Sequence, residues 1–344
     1  MFYIPILKDK QGERAAIASL ADKSHIVPLI EVNDLSPDVE KKVRALKRCW
    51  PGKKSIYIDV TMLDGYEYKP VDLTNTIARF LDLCIQTKLE VVPVIRTMNS
   101  SAFYKGVGTM TAQHDPAHLC LRLVRDDFAD STDAIRSAID NTISATKTDP
   151  TCIDVIIDGG DISGQKSYKR VAKELRGMVE ELPYKSNWKS ITIASGAFPA
   201  DLSSCPANQW NKIERTDWLA WESLIGQIEK KYAINYGDYG INNVNWPPQI
   251  PVPPSAQLRY STESEFMVYR AQRRDGNEAF YNICDDLVNL DHEFYGPEFS
   301  DGDRLIAEKA DRNGGPGNAS TWRQIGTSHH LALVLASLAR ISGS

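Results

Sequence analysis

Five charged residues stand where short apolar runs stop. Tyr3-Ile-Pro-Ile-Leu7 ends on Lys8, Ile26-Val-Pro-Leu-Ile30 on Glu31, Ile56-Tyr-Ile58 on Asp59, Val91-Val-Pro-Val-Ile95 on Arg96, and Ile153-Asp-Val-Ile-Ile157 on Asp158. Ser195 and Asp238 follow weaker runs in the same way. Glu31, Asp59 and Asp158, brought together, would offer oxygen ligands to a divalent cation, with water or a substrate phosphate completing the shell. Arg96 would grip a phosphate or carboxylate through its fork and Lys8 as a point charge. The same interleaved charges could instead neutralise one another, and residue type alone does not choose between these outcomes.

Three other stretches carry possible chemistry. Asp158-Gly-Gly-Asp-Ile-Ser-Gly164 lacks the spacing of a phosphate loop or a dinucleotide fingerprint, and its two acids oppose an anion, so turn chemistry is the favoured reading. Ser195-Gly-Ala-Phe-Pro199 could form a backbone cradle but is not a nucleophile elbow. Trp322-Arg-Gln-Ile-Gly-Thr-Ser-His-His330 puts Gly326 inside a helical pattern, which close packing or a site would have to justify. Its adjacent histidines cannot share one helix face, so they are no chelating pair, and His329 is the candidate acid or base. Arg270, beside the basic pair Arg273-Arg274, and Arg323 are expected near the same opening and, with Ser195 and Asp238, as ligand-binding groups.

The elements that must position these groups are strands and helices in alternation. Strand candidates lie near 2–7, 26–31, 55–60, 90–96, 118–124, 152–158, 189–195 and 232–237, spaced roughly every 25–40 residues. Several are apolar throughout, as parallel strands covered on both faces are. His118-Leu-Cys-Leu-Arg-Leu-Val124 has apolar residues at alternate positions but could also open a helix. Between strands, Ser36-Pro37-Asp38 reads as a helix start, and Asp72 to Thr87, Ser131 to Lys147 and Lys169 to Leu182 place apolar residues at helical spacing. The pattern predicts a (β/α)8 TIM-barrel-like domain over 1–240, with an open doubly wound sheet as runner-up. Trp246-Pro-Pro-Gln-Ile-Pro-Val-Pro-Pro254 marks a Pro-rich linker over 241–259. A C-terminal α-helical extension over 260–344 is then expected to pack on the barrel and close over its mouth, with a strand-like Phe266–Tyr269, a helix around 277–290 and a last helix from about Thr321 to Ile341. In such a barrel, function sits at the C-terminal ends of the strands.

Composition excludes several classes. With 42% apolar and 25% charged residues the chain is globular rather than disordered. A net charge of −5 offers no global attraction to nucleic acid or an anionic membrane. No run approaches a membrane-spanning length, and the first residues lack a cleavable leader pattern, so a cytoplasmic location is expected. The six cysteines form no C-x-x-C pair, which favours buried free thiols over zinc.

Tyr3-x-Pro-Ile-Leu-Lys8 with Pro28-Leu-Ile-Glu31 at one end, and Trp322 to His330 at the other, resemble the phage beta-protein family. The namesake lies in satellite-phage DNA beside a killer gene. The resemblance implies a part in a phage-defence or immunity cassette, restraining or working with a toxic protein from a neighbouring gene. It implies no reaction. Two functions are therefore carried forward: capture of a partner protein or a small phosphate-bearing ligand, and, as the alternative, metal-dependent phosphodiester or nucleotide hydrolysis.

Overall fold

Strands that are apolar on both faces need cover on both, and here a closed barrel supplies it. The computed structural model describes residues 1–35, 38–50, 54–65, 72–112, 117–228, 232–246, 254–290 and 292–343. Eight parallel strands close on themselves: β1 (Tyr3–Lys8), β2 (Leu29–Glu31), β3 (Ile56–Asp59), β4 (Val91–Ile95), β5 (Leu119–Val124), β6 (Ile153–Asp161), β7 (Ser190–Gly196) and, after the non-barrel strand β8 (Trp210–Glu214), β9 (Ile234–Asp238), which pairs back onto β1. All eight expected strands are present, and the ambiguous fifth is a strand.

Helices α1 (Gln11–Ser19), α2 (Val39–Cys49), α3 (Leu73–Gln86), α4 (Ser101–Thr111), α5 (Thr132–Thr146), α6 (Tyr168–Glu181) and α7 (Thr216–Ile225) cover the outside. Their starts are set by capping side chains: Asp72 accepts from the Asn75 amide, Ser131 from Ala134 and Ser167 from Arg170. Asp38 caps α2 through the Lys41 amide; Ser36 and Pro37 lie outside the described residues. The buried faces are those given by the helical spacing, for example Ile77, Phe80, Leu81 and Cys84 on α3.

Period-two alternation along the strands separates two cores. Tyr3, Leu7, Ile30, Ile58, Leu121 and Ile157 point outward under the helices. Ile4, Ile6, Leu29, Tyr57, Val92, Val94, Cys120, Ile156, Ala194 and Tyr239 fill the barrel interior.

The C-terminal region forms a third core. Strands β10 (Gln257–Ser261) and β11 (Glu265–Arg270) pair antiparallel, and β11 also pairs with β8, which comes from within the barrel segment. Sequence reasoning missed β8 and β10. Of the expected linker, 247–253 lies outside the described residues and 257–259 is strand. Helices α8 (Ala279–Val288), α9 (Asp301–Ala310) and α10 (Ala319–Gly343) complete this layer. α10 lies along α1 and against β10 and β1, in the place of a barrel's eighth outer helix. Gly326 makes that approach possible, since a Cβ there would stand 2.4 Å from the Arg259 carbonyl oxygen. No helix among the described residues is long and apolar enough to cross a membrane.

Candidate functional site

Register decides which strand ends share the mouth. Lys8 pairs with Glu31, and Glu31 with Asp59, so all three point inward at one level. Asp158 joins them from β6. Asp238 pairs with Pro5, an odd number of residues from Lys8, and Ser195 pairs with Asp238, so both point outward. The structure therefore removes Ser195 and Asp238 from the ring.

The centre of the ring is a residue that sequence reasoning did not single out, Arg122 on β5, 2% exposed. Its guanidinium donates to Glu31 Oε1 (2.9 Å), to Asp59 Oδ2 (2.6 Å) and twice to Asp158 Oδ2 (2.9 and 2.7 Å). It also donates to the Tyr239 hydroxyl, which in turn donates to Asp158 Oδ2. Burial opposes the charge on Arg122, but Tyr239 and the three acids outweigh it and hold the guanidinium charged. Burial likewise pushes Asp59 up, yet Arg122, Arg96 and two hydrogen bonds from Thr61 bring its carboxyl below the ordinary value.

Arg122 thus stands where a divalent cation was expected among Glu31, Asp59 and Asp158. Among the described residues no group of three or more His, Cys, Asp or Glu side chains is arranged to hold a metal ion. The fit to a cation is poor for a further reason: each carboxylate already gives an oxygen to a positive charge, and a second cation would meet that charge at close range.

The two expected anion-gripping groups have diverged. Lys8 is buried, and its ammonium donates to the carbonyls of Asn243 (2.7 Å) and Val244 (3.0 Å). Burial lowers its pKa. Arg96 is one-third exposed, 3.8 Å from Asp59, and its Nε has no partner among the described residues. Arg125, just past β5, donates to the Gly159 carbonyl through Nε and to Glu174 through Nη1 (3.3 Å), and its Nη2 has no partner among them. The Trp246 indole N–H likewise has no partner among the described residues, and the Lys8 ammonium lies 5.8 Å from its ring. Arg96, Arg125 and Trp246, with Met62, Tyr239, Arg122, Glu31 and Asp158, line an open cavity of about 430 Å³. None of its lining residues comes from α10.

The remaining expected residues lie elsewhere. His329 is fully buried away from the mouth, bonded to Asp303 (2.9 Å) and to the Ser261 carbonyl (2.7 Å) and stacked 3.7 Å from the Tyr260 ring. It is a core histidine with both nitrogens engaged, which corrects its assignment as acid or base at the mouth. Its neighbour His330 joins Asp238 (2.9 Å) to the Ser261 hydroxyl (2.7 Å) and so pins α10 to the barrel wall. Burial lowers the His330 pKa against the pull of Asp238. Arg270 donates to the Cys205 carbonyl (2.6 Å) and does not reach the mouth cavity. Arg323 contacts Asn242 Oδ1 (3.0 Å), on the outer side of the 241–246 loop whose other side rims the mouth.

The glycine-rich loop after β6 does turn chemistry: Asp158 Oδ1 accepts from the Gly160 amide (2.9 Å) and Asp161 from Ser163 (2.9 Å). The Ala197 amide, in the second expected cradle, faces the Asp217 carboxylate (3.4 Å) rather than open space. A separate polar cluster closes the other end of the barrel, where Asp154 accepts from Tyr57 (2.8 Å) and Ser190 (2.6 Å) and bonds His118 (2.6 Å).

The profile of the family described as Beta protein matches residues 3–336. No curated protein matches the sequence. Among solved structures, the Paramecium bursaria Chlorella virus arginine decarboxylase bound to agmatine is similar at 13% identity and a TM-score of 0.40, over 69% of this chain and 57% of that one. The chain therefore spans little more than half the length of that enzyme, and so distant a likeness says nothing about chemistry here.

Proposed function

The chain belongs to the beta protein family, and on that premise we propose that it binds a small phosphate-bearing ligand at the barrel mouth as a component of a phage-defence or immunity cassette. The observation that carries the ligand reading is the unpartnered donor set. With Arg122 absorbing the three acids, Arg96 Nε, Arg125 Nη2 and the Trp246 indole N–H are left without acceptors among the described residues around one open cavity. Buried donors without acceptors are costly, and an anion satisfies them. Trp246, Tyr239 and Met62 supply an apolar wall for the body of the ligand.

Hydrolysis is the weaker reading, because the carboxylates it would use for a metal are engaged by Arg122. The cassette role, and a partner protein from a neighbouring gene, rest on family membership.

Calorimetric titration with nucleoside monophosphates, against the matching nucleosides, tests the ligand reading. Binding should require the phosphate and weaken about ten-fold in Arg96→Gln or Arg125→Gln, the worth of one charge-assisted hydrogen bond. No phosphate-dependent binding, or unchanged affinity in both variants, would overturn it. Co-purification with the neighbouring gene product tests the partner, and absence of association across a range of salt would count against it.

A further inference from the structure

We infer that the seam between the barrel and the C-terminal layer holds a second anion subsite, separate from the mouth, in which Arg259 and Arg323 receive a phosphate group. Both guanidiniums converge on a single neutral acceptor: Asn242 Oδ1 lies 3.4 Å from Arg259 Nη1 and 3.0 Å from Arg323 Nη1. Neither arginine has a carboxylate hydrogen-bonded to it among the described residues. Among the described residues Glu13 is the acid close by; it spends one oxygen on the Asn242 amide (2.9 Å), and its other oxygen is buried without a partner among them. Lys8 and Lys10 add two more positive charges around the same carboxylate.

Two guanidiniums facing one amide oxygen repel each other, and the fold holds them there. Arg259 is tethered by the Ile241 carbonyl (2.8 Å), by Gln257 Oε1, 3.4 Å from both Nε and Nη2, and by the Phe198 ring 4.4 Å away. Among the described residues Arg323 has one side-chain hydrogen bond, to Asn242. Between them lies a cavity of about 40 Å³, lined also by Asn242, Gln257 and Trp322. At the ~10–15 Å³ that one water needs, this is room for about three waters or one tetrahedral oxyanion. An anion bridging the two forks would remove the repulsion and use planar donors that suit phosphate oxygens. Burial and Arg323 pull the Arg259 pKa down, and Glu13 offsets only part of that pull.

The subsite does not depend on the mouth reading, and the test separates them. The full chain is titrated with inorganic phosphate at constant ionic strength against chloride, with calorimetry and tryptophan fluorescence as readouts. Saturable binding should weaken about ten-fold in Arg323→Gln, less in Arg323→Lys, and stay within about two-fold in Arg96→Gln, which acts at the mouth. Glu13→Gln keeps an oxygen for the Asn242 amide but removes the competing negative charge, so it should tighten binding about three-fold or more. No saturable phosphate response, a loss in Arg96→Gln equal to that in Arg323→Gln, or unchanged affinity in both Arg323→Gln and Glu13→Gln would each overturn the subsite. Should Arg323→Gln melt below the parent chain, Glu13→Gln decides: tightening supports the subsite and no change overturns it. Glycerol 3-phosphate bound more tightly than inorganic phosphate would assign the group to a larger molecule; equal binding would assign a free anion.

Discussion

Replacing Arg122 by Met should convert the ring from a satisfied cluster into three buried carboxylates with nothing to balance them. Methionine follows the side chain only as far as the position of Nε and supplies none of the five hydrogen bonds that Arg122 gives to Glu31, Asp59, Asp158 and Tyr239. Breaking a buried ion pair from one side costs about 3–5 kcal/mol. Here three acids lose their partner, although Arg96, 3.8 Å from Asp59, offsets part of the loss. About 4–6 kcal/mol is expected. At about 2.1 cal/mol/K per residue, a chain of 344 residues has an unfolding entropy of ~0.7 kcal/mol/K. The melting temperature should therefore fall by roughly 6–8 °C at pH 7.

The pH dependence gives the sharper check. In the native protein the lowered Asp59 pKa contributes stability that is present above the unfolded value of about 3.9 and is lost as pH falls through the still lower folded value. Without Arg122, burial dominates and the pKa rises above the unfolded value. The penalty then grows as pH rises from ~4 towards neutrality. The gap between Arg122→Met and the parent chain should thus be widest near pH 7 and narrow at pH 5, by calorimetric melting in matched buffers. Arg122→Lys, keeping charge but not the fork, should fall between the two. A variant as stable as the parent at pH 7, or a gap that does not narrow on acidification, would refute the view that Arg122 is the ring's counter-charge.

Other expectations follow from the same geometry. Asp158→Asn, which disturbs bonds to Arg122 and Tyr239, should cost about 2–3 kcal/mol, whereas Glu31→Gln, touching one bond, should cost ~1 kcal/mol or less; urea unfolding ranks them. Gly326→Ala should destabilise by about 1–3 kcal/mol despite alanine's better helix propensity, because β10 cannot make room without moving; stability unchanged or raised would show that the approach relaxes. Burial opposes ionisation of Asp238, but the charge of His330, hydrogen bonds from His330 and Tyr3 and the nearby Arg215 hold its pKa at about 2. Its contribution is therefore complete above pH ~4 and lost towards pH 2, and Asp238→Asn should flatten the acid limb of the stability profile over that interval. Glu13 is the opposite case: burial lifts it to about 7 against the pull of Arg323 and Lys8. Its penalty appears as pH rises from ~4.3 to 7, so Glu13→Gln should stabilise by about 1–3 kcal/mol at pH 8 and hardly at all at pH 4.5.

Much of the barrel was legible because each strand and helix carries its own signal. Apolar runs that end on Lys8, Glu31, Asp59 and Asp158 marked both the strands and their C-terminal ends, and caps such as Asp72 and Ser131 marked the helices between them. The short strands β8 and β10 were not legible. Trp210–Glu214 is half-polar with no fully buried residue, and its partner β11 lies more than fifty residues away. Arg122 was hidden for a different reason. Leu119, Leu121 and Leu123 announced a strand, but whether the intervening His118, Cys120 and Arg122 faced solvent or the barrel axis depended on closure of the sheet.

The sequence by itself determined which segments form strands, in what order, and that charged groups gather at one end of the barrel, since these follow from local periodicity. Tertiary structure alone decided what the gathered charges do. Parity across the closed barrel sent Ser195 and Asp238 outward. Convergence of strands distant in the chain placed one guanidinium among three carboxylates and left Arg96, Arg125 and Trp246 with donors to offer. Coulomb energy and hydrogen bonding depend on separations of a few ångströms, and no pattern along the chain encodes such distances between residues a hundred positions apart.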